Sequence, residues 1–195
     1  MQLVSADELP ILDEPMAVEL ANTLYGNADE RIDFLGEPRL RASWLAAARL
    51  DLTASEAQAV ARRGGGDLVA LRDAVRSLFL AQVDREPFAA SAVEMINAAA
   101  ARGTRRPRLE LVAGRPLRTD ARFGDRTSRL LAELAELAIE FVGSADLDRV
   151  RRCSAPDCAM LYVQAHHRRR FCHPSCSHRS RQAAYYRRKL AEQSP

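Results

Sequence analysis

The sequence predicts an α+β fold, with a mostly helical N-terminal domain that carries a small antiparallel sheet and a compact module at the C-terminus. Apolar residues, mainly Leu, Ala and Val, recur at helical spacing through most of the first 148 residues. Residues 107–123 change to the alternation of a β-hairpin. All four cysteines of the 195-residue chain follow residue 152. We place the domains at residues 1–145 and 150–190, and we expect the first to fold without the second.

The N-terminal domain is predicted to begin with a strand. Residues 15–24 (PMAVELANTL) open with apolar and polar residues in alternation, and the strand would end near Asn22 and Thr23. This strand is a candidate partner for the hairpin further along the chain. Residues 38–50 place an apolar residue at every fourth position, which predicts a short helix.

Three further helices are predicted in this domain. Thr53 and Ser91 are each followed three residues later by glutamate, the pattern of a capping box that opens a helix. Residues 67–85 have helical periodicity. The glycines 64–66 predict a turn between helices and not a phosphate loop, because no Gly-Lys-Ser/Thr sequence follows them.

The hairpin and the longest helix follow. The hairpin of residues 107–123 is predicted to turn at Gly114 and Arg115. Residues 125–141 give the clearest helical stripe, and Gly143 stands where a C-cap glycine belongs.

Nothing in this domain indicates catalysis. No histidine precedes His166, which excludes Ser-His-Asp and Cys-His sites here. The pairs Asp13/Glu14 and Asp29/Glu30 are adjacent acids of the kind that is usually solvated. We therefore expect a protein that is not an enzyme.

The N-terminal residues and the hydropathy of the chain predict its compartment. The first twelve residues lack the basic and apolar regions of a signal peptide. No run of about 18 apolar residues exists, so no membrane span is predicted. We expect a cytoplasmic protein whose thiols stay reduced.

The cysteine spacing, C-x4-C-x13-C-x3-C, is typical of four thiolates around one tetrahedral zinc ion. Such a site is closed and structural, whereas a catalytic zinc keeps one position for water. The alternatives are free or redox-active thiols and, less compatible with the cytosol, disulfides. The predicted ligands are Cys153, Cys158, Cys172 and Cys176.

Histidines lie close to the cysteines. They could replace a thiolate, but the simplest zinc site needs none of them. His173 and His178 flank the last cysteine and could contact the ligands. The four histidines are His166, His167, His173 and His178.

The segments around the cysteines predict a knuckle followed by a helix. Pro156 and Asp157 favour a turn, and residues 159–163 are apolar enough for a strand of a small hairpin. Pro174 fits the first position of a helix, which would place Cys176 in its first turn. Ligands at a helix N-terminus resemble a treble-clef finger.

Charge divides the chain at the same place. Residues 1–148 carry 18 arginines against 24 acids, whereas residues 149–195 carry 11 basic residues against 2 acids. A basic block of net charge +9 on a body of −6 is the pattern expected of a module that contacts nucleic-acid phosphates. A solvated tail, or a tail that docks on its own acidic domain, remains the alternative.

A helix over residues 174–190 would present one basic stripe. His178, Arg181, Tyr185 and Arg188 follow each other at helical spacing, while Cys176, Ala183, Tyr186 and Leu190 would face the zinc site or the core. The predicted nucleic-acid contacts are Arg168, Arg169, Arg170, His178, Arg179, Arg181, Tyr185, Arg187, Arg188 and Lys189.

The finger resembles the CGNR zinc finger family. The matching stretches are residues 153–158 (CSAPDC), 161–163 (LYV), 169–172 (RRFC), 176–179 and the basic Tyr/Arg helix. The family motif Cys-Gly-Asn-Arg is here Cys176-Ser177-His178-Arg179. Residues 20–24 (LANTL) with Trp44 and Leu45 are similar to the ABATE domain that usually precedes this finger.

This resemblance implies a stress-induced transcription regulator of bacterial type, with bound Zn²⁺ and DNA as its partner. The Asn22-Thr23 pair is a fixed element of the family and a candidate contact for a small-molecule effector. The alternative is that both side chains satisfy backbone groups at the end of a strand.

We therefore expect a zinc-dependent DNA-binding regulator whose N-terminal domain senses an effector or forms a homodimer. A zinc-stabilised module that docks on an acidic protein is the second hypothesis. RNA binding is the third, and it would need exposed aromatic residues for base stacking.

Overall fold

The computed structural model describes Leu9 and residues 11–26 and 31–193, and within them it has seven α-helices and three two-stranded antiparallel sheets. The predicted α+β class is confirmed. The helices are α1 (Met16–Ala21), α2 (Pro38–Ala47), α3 (Ala54–Arg63), α4 (Gly65–Asp84), α5 (Ala90–Ala100), α6 (Arg126–Val142) and α7 (Pro174–Gln193). The sheets pair β1 (Leu24–Gly26) with β2 (Arg31–Asp33), β3 (Thr104–Val112) with β4 (Arg115–Phe123), and β5 (Val150–Arg152) with β6 (Leu161–Val163).

The prediction of a strand over residues 15–24 is wrong, because most of this segment forms the helix α1. Every residue from 17 to 23 is buried, since α1 packs against α4, α6 and β6 at the centre of the molecule. The alternation of apolar and polar residues therefore does not separate an inner from an outer face, and the Ala, Leu, Met and Glu residues of the segment favour a helix. Among the described residues, the two strands of the hairpin that was its candidate partner pair with each other and with no further strand.

The predicted capping boxes have opposite outcomes. Thr53 caps α3 as expected: its Oγ1 accepts from the Glu56 N–H at 3.3 Å, and the Glu56 carboxylate accepts from the Thr53 N–H at 2.9 Å. The prediction of a capping box at Ser91 is wrong. Helix α5 already begins at Ala90, so Ser91 lies inside its first turn, and the N-cap residue Ala89 has no side chain that could cap it.

The glycine turn is shorter than predicted. Gly64 alone separates α3 from α4, and Gly65 and Gly66 belong to the first turn of α4. A Cβ atom at Gly65 would overlap the guanidinium of the buried Arg41, so any larger residue here would require Arg41 to shift. The helices predicted over residues 38–50, 67–85 and 125–141 are present as α2, α4 and α6.

The hairpin is present, but its turn lies one residue earlier than predicted. Val112 pairs with Arg115, which leaves Ala113 and Gly114 as a two-residue turn. Both have positive φ, 51° and 75°, as a type I′ turn requires. No other helix or strand of the described chain packs extensively against this hairpin, which we call the β3–β4 arm.

One apolar core crosses the expected domain boundary. It contains α1, α4 and α6 together with Val150, Leu161 and Val163, the inward residues of the small β5–β6 sheet. A second, smaller cluster holds three of the cysteines with Met160 and Tyr162. The shared core argues against our expectation that the N-terminal domain folds without the finger.

Candidate metal centre and nucleic-acid interface

The four cysteines converge as their spacing predicts. Cys153 follows β5, Cys158 follows a turn in which Asp157 has φ 60°, Cys172 precedes α7, and Cys176 lies in the first turn of α7. Their Sγ atoms all lie within 4.8 Å of one another.

The distances between the sulfur atoms fit a tetrahedral metal site. The Sγ atom of Cys172 lies 3.8 Å from that of Cys158 and 3.6 Å from that of Cys176, and the Cys158–Cys176 distance is 3.9 Å. A tetrahedron with zinc–sulfur bonds of about 2.3 Å has edges of about 3.8 Å. The cluster can therefore hold one metal ion, and its soft sulfur donors suit zinc.

Hydrogen bonds among the packed thiols move their pKa values in opposite directions. Hydrogen bonds from Cys158 and Cys172 lower the pKa of Cys153, while sharing protons with Cys153 raises the pKa of both Cys158 and Cys172. Packed thiols thus resist a common thiolate state, which a bound divalent ion would stabilise.

Nitrogen donors approach two of the four sulfur atoms. The Cys172 N–H donates to the Cys153 Sγ at 3.4 Å, and the Arg179 guanidinium lies 3.8 Å from the Cys176 Sγ. His173 acts as a helix cap, since its Nδ1 accepts from the Ser175 N–H at 3.2 Å. Among the described residues no histidine belongs to the ligand cluster.

Asn22 fixes the finger to the centre of the N-terminal region. Its Nδ2 donates to the Leu161 carbonyl and its Oδ1 accepts from the Leu161 N–H, both at 2.9 Å. Thr23 donates to the Leu20 carbonyl at 2.7 Å. Both side chains are 0% exposed, which favours the structural interpretation of this pair over an effector contact. Asn22 and Thr23 follow the last residue of helix α1, whereas we expected them at the end of a strand.

Arg76 makes a second link between the two parts. Its guanidinium donates to the Ala21 carbonyl at 3.0 Å and to the Ala159 carbonyl, within the finger, at 2.7 Å. Burial lowers the pKa of Arg76 to about 10, so it remains charged at neutral pH. No pattern in the sequence indicates this role, because Arg76 lies on a helix that otherwise packs in the core.

Glu14 makes a third link between the N-terminal region and the finger, and its position differs from our expectation. Glu14, expected to be solvated, has a side chain that is only 4% exposed, and it accepts from the Val163 N–H at 2.9 Å. Its other oxygen pairs with Arg169 at 2.6 Å. The other acid of this pair, Asp13, is exposed, whereas Asp29 and Glu30 lie outside the described residues.

Arg169 belongs to the interior of the finger. Besides Glu14, it donates to the carbonyls of Val163 and Cys172 at 3.1 and 2.9 Å, and it lies 4.6 Å from the centroid of the Tyr162 ring. That Arg169 contacts nucleic acid stays a prediction, but these contacts inside the protein argue against it.

Glu19 positions Glu14 for these contacts. One oxygen of Glu19 accepts from the Leu12 and Glu14 N–H groups at 2.8 and 2.7 Å, which fixes the backbone ahead of α1. Burial raises the pKa of Glu19 to about 7, well above the usual range of a carboxyl group.

The remaining predicted contacts form an exposed basic surface. Arg181 is held along the helix by a hydrogen bond to the Ser177 hydroxyl at 3.2 Å. None of the surface side chains is ion-paired with a carboxylate whose position the structure describes. This surface consists of Arg168, Arg170, His178, Arg179, Arg181, Tyr185, Arg187, Arg188 and Lys189.

The distal part of α7 differs from the sequence prediction at Tyr186. We expected Tyr186 to face the core, but it is 62% exposed and stacks edge-on against Tyr185, which is 55% exposed. The reason is that no other helix or strand among the described residues packs extensively against α7, so its later turns have no inner face. The Leu190 side chain lies outside what the structure describes.

Comparison with known families agrees with this architecture. Residues 14–145 match the ABATE model, described as "Putative stress-induced transcription regulator". The chain belongs to the ABATE family. Residues 149–189 of this ABATE-family protein match the CGNR zinc finger, which covers all four cysteines. Both are regulator or zinc-finger families and neither is an enzyme family. The search of curated proteins found no match to the sequence.

Among the described residues, none of the helices combines the length and the apolar composition that a membrane span needs.

Proposed function

We propose that this protein is a zinc-dependent, DNA-binding transcription regulator of the cytoplasm, in which α7 and the adjoining loop contact a DNA duplex. The observation that supports this most is the exposed basic surface, which starts beside the four-cysteine centre and is not neutralised by described acids of the protein. A metal centre at the start of α7 would set the direction of the helix, so that its charges are presented as one rigid unit.

The proposed metal is one zinc ion per chain, held by all four cysteines. With no open position, it would stabilise the finger and would not activate water. Freshly purified, reduced protein should contain one zinc ion per chain by elemental analysis, because four thiolates bind it with roughly 10–16 kcal/mol near neutral pH. The Cys153→Ser variant should lose most of it. A zinc content well below one in wild-type protein would contradict the proposal.

Duplex affinity should depend on the exposed arginines of α7. Replacing Arg181 and Arg188 by alanine should weaken duplex binding and reduce the slope of log K against log salt by roughly 2, since each phosphate contact contributes about 0.9. Arg62 and Arg63, exposed near the end of α3, provide the matched control, and their replacement should change neither quantity. Wild-type affinity in the Arg181/Arg188 double variant would exclude α7 as the DNA-binding element.

RNA is the second candidate, because the exposed Tyr185–Tyr186 pair could stack on bases. Competition with a single-stranded RNA distinguishes DNA binding from RNA binding. If DNA is the partner, RNA displaces the duplex poorly, and the Tyr185→Ala and Tyr186→Ala variants bind duplex nearly as the wild type does.

A further inference from the structure

The β3–β4 arm carries a charge opposite in sign to that of the domain to which it belongs. Residues 105–122 contain six arginines and two acids, a net charge of +4. The other residues of the first 148 contain 12 arginines and 22 acids, a net charge of −10. A concentration of positive charge on an otherwise acidic domain indicates an anionic partner for the arm.

The strand register places exposed arginines from both strands on one face of the arm. Alternate residues of a strand share a face, and so do partners on paired strands. Arg106, Arg108 and Val112 lie at alternate positions of β3, and Arg115 of β4 pairs with Val112. All three arginines are exposed. We call the side of the arm that carries them the arginine face.

The contacts that two of these arginines make within the arm are weak. Arg108 lies 3.5 Å from the Glu110 carboxylate, and the two side chains are 64% and 44% exposed. An ion pair so open to water contributes at most about 1 kcal/mol. The Arg106 guanidinium lies 5.6 Å from the centroid of the Phe123 ring. A guanidinium has five N–H donors, so both arginines keep donors for phosphate oxygens.

The dimensions of the arm suit a DNA groove. The major groove, about 12 Å wide, admits a two-stranded β-ribbon. The nine-residue strands of the arm span about 30 Å. Val112 and Leu117 are each more than 50% exposed on the arginine face, where they offer apolar contacts to thymine methyl groups. Leu109 and Leu111 lie on the opposite face and take no part in this contact.

Helix α4 separates the arm from the metal centre. At the start of α4, Asp67 pairs with Arg102, which precedes β3, at 2.5 Å. At its end, Asp84 pairs with Arg152, the residue before the ligand Cys153. Positions 67 and 84 of one helix lie about 25 Å apart, the length of about seven base pairs. DNA contacts of the arm and of the finger would therefore fall on different parts of a duplex.

We propose that the arginine face of the β3–β4 arm is a second DNA-binding surface, which contacts the duplex that α7 binds. This contact rests on the duplex binding proposed above and gives the N-terminal domain a direct part in it. A duplex is favoured over an acidic protein because Arg106 and Arg115 lie about 20 Å apart along the arm. DNA offers phosphates along all of that length, whereas a protein would need carboxylates at matching positions.

Duplex binding of the full chain at several salt concentrations tests this contact. Replacing Arg106 and Arg115 by alanine should weaken binding and lower the slope of log K against log salt by roughly 2. The Arg62/Arg63 variant removes the same charge from exposed positions of α3 and should change neither quantity. Adding the Arg181 and Arg188 substitutions to the arm variant should lower the slope by roughly 4, since distant contacts add.

Photocrosslinking locates the contact independently of affinity. A photoreactive benzoylphenylalanine in place of Val112 should crosslink to the bound duplex. The same amino acid in place of Gln58, which is exposed on α3, should not. All substituted side chains are exposed, and circular dichroism of each variant verifies that it is folded.

The outcomes separate this contact from the function proposed above. If the Arg106/Arg115 variant keeps the wild-type slope while the Arg181/Arg188 variant loses affinity, the arm does not bind DNA, and α7 remains the DNA-binding element. A duplex that fails to crosslink at position 112 would overturn the arm contact in the same way. A wild-type chain that does not bind duplex would overturn both.

Discussion

Arg168, Arg169 and Arg170 follow one another in the sequence but occupy two different environments. Arg169 is held by Glu14, by backbone carbonyls and by the Tyr162 ring, whereas Arg168 and Arg170 are exposed. A count of basic residues treats the three as equal. The comparison shows that the finger has an attached half, whose charges stabilise the fold, and a free half, whose charges remain available to a partner.

The attached half of the finger is held by side chains of the N-terminal region. Asn22 bonds both backbone groups of Leu161, Arg76 reaches the Ala159 carbonyl, and Glu14 reaches β6. Helix α7 has no comparable contacts with the rest of the described chain. We therefore expect substitutions in the first group to change stability and substitutions on α7 to change binding.

The largest effect is expected from removing the finger altogether. A chain that ends at Ser144 would lose Val150, Leu161 and Val163 from the main core and would leave the Asn22 amide and the Arg76 guanidinium without their finger partners. Calorimetry should detect no cooperative transition, or one far below that of the full chain. A shortened chain that melts as the full chain does would show that the N-terminal region folds independently of the finger.

A smaller loss of stability is expected for Asn22→Ala. The substitution leaves the buried N–H and C=O of Leu161 without partners, which should cost about 2–4 kcal/mol. Denaturant titration measures this difference. Gln58→Ala, which removes an exposed amide on α3, serves as the control and should change stability by less than about 0.5 kcal/mol. Equal effects of the two variants would mean that Asn22 does not hold the finger in place.

Local patterns in the sequence predicted the parts of the molecule whose causes are local. The cysteine spacing predicted the four-cysteine cluster, and periodicity predicted α2, α4, α6 and the hairpin, because neighbouring residues determine these features. Helix α1 was missed because its surroundings bury all of its sides, so no period separates an inner from an outer face.

The contacts between the N-terminal region and the finger could not be predicted in this way. The Asn22–Leu161 and Glu14–Val163 bonds join residues 139 and 149 positions apart. No spacing rule relates such residues, and a buried Glu14 looks in sequence like any acid beside Asp13. The role of Arg169 could not be predicted for the same reason, since its contacts with Glu14, with backbone carbonyls and with the Tyr162 ring distinguish it from Arg168.

The most direct test compares Arg168→Ala with Arg169→Ala for both unfolding free energy and duplex affinity. Arg169→Ala should lose about 3–5 kcal/mol of stability, because it leaves the buried Glu14 carboxylate unpaired. Arg168→Ala should keep its stability, bind duplex more weakly and lower the salt slope by roughly 0.9. The reverse result, with a stable Arg169 variant that binds poorly and an unstable Arg168 variant, would contradict the division of the finger into an attached and a free half.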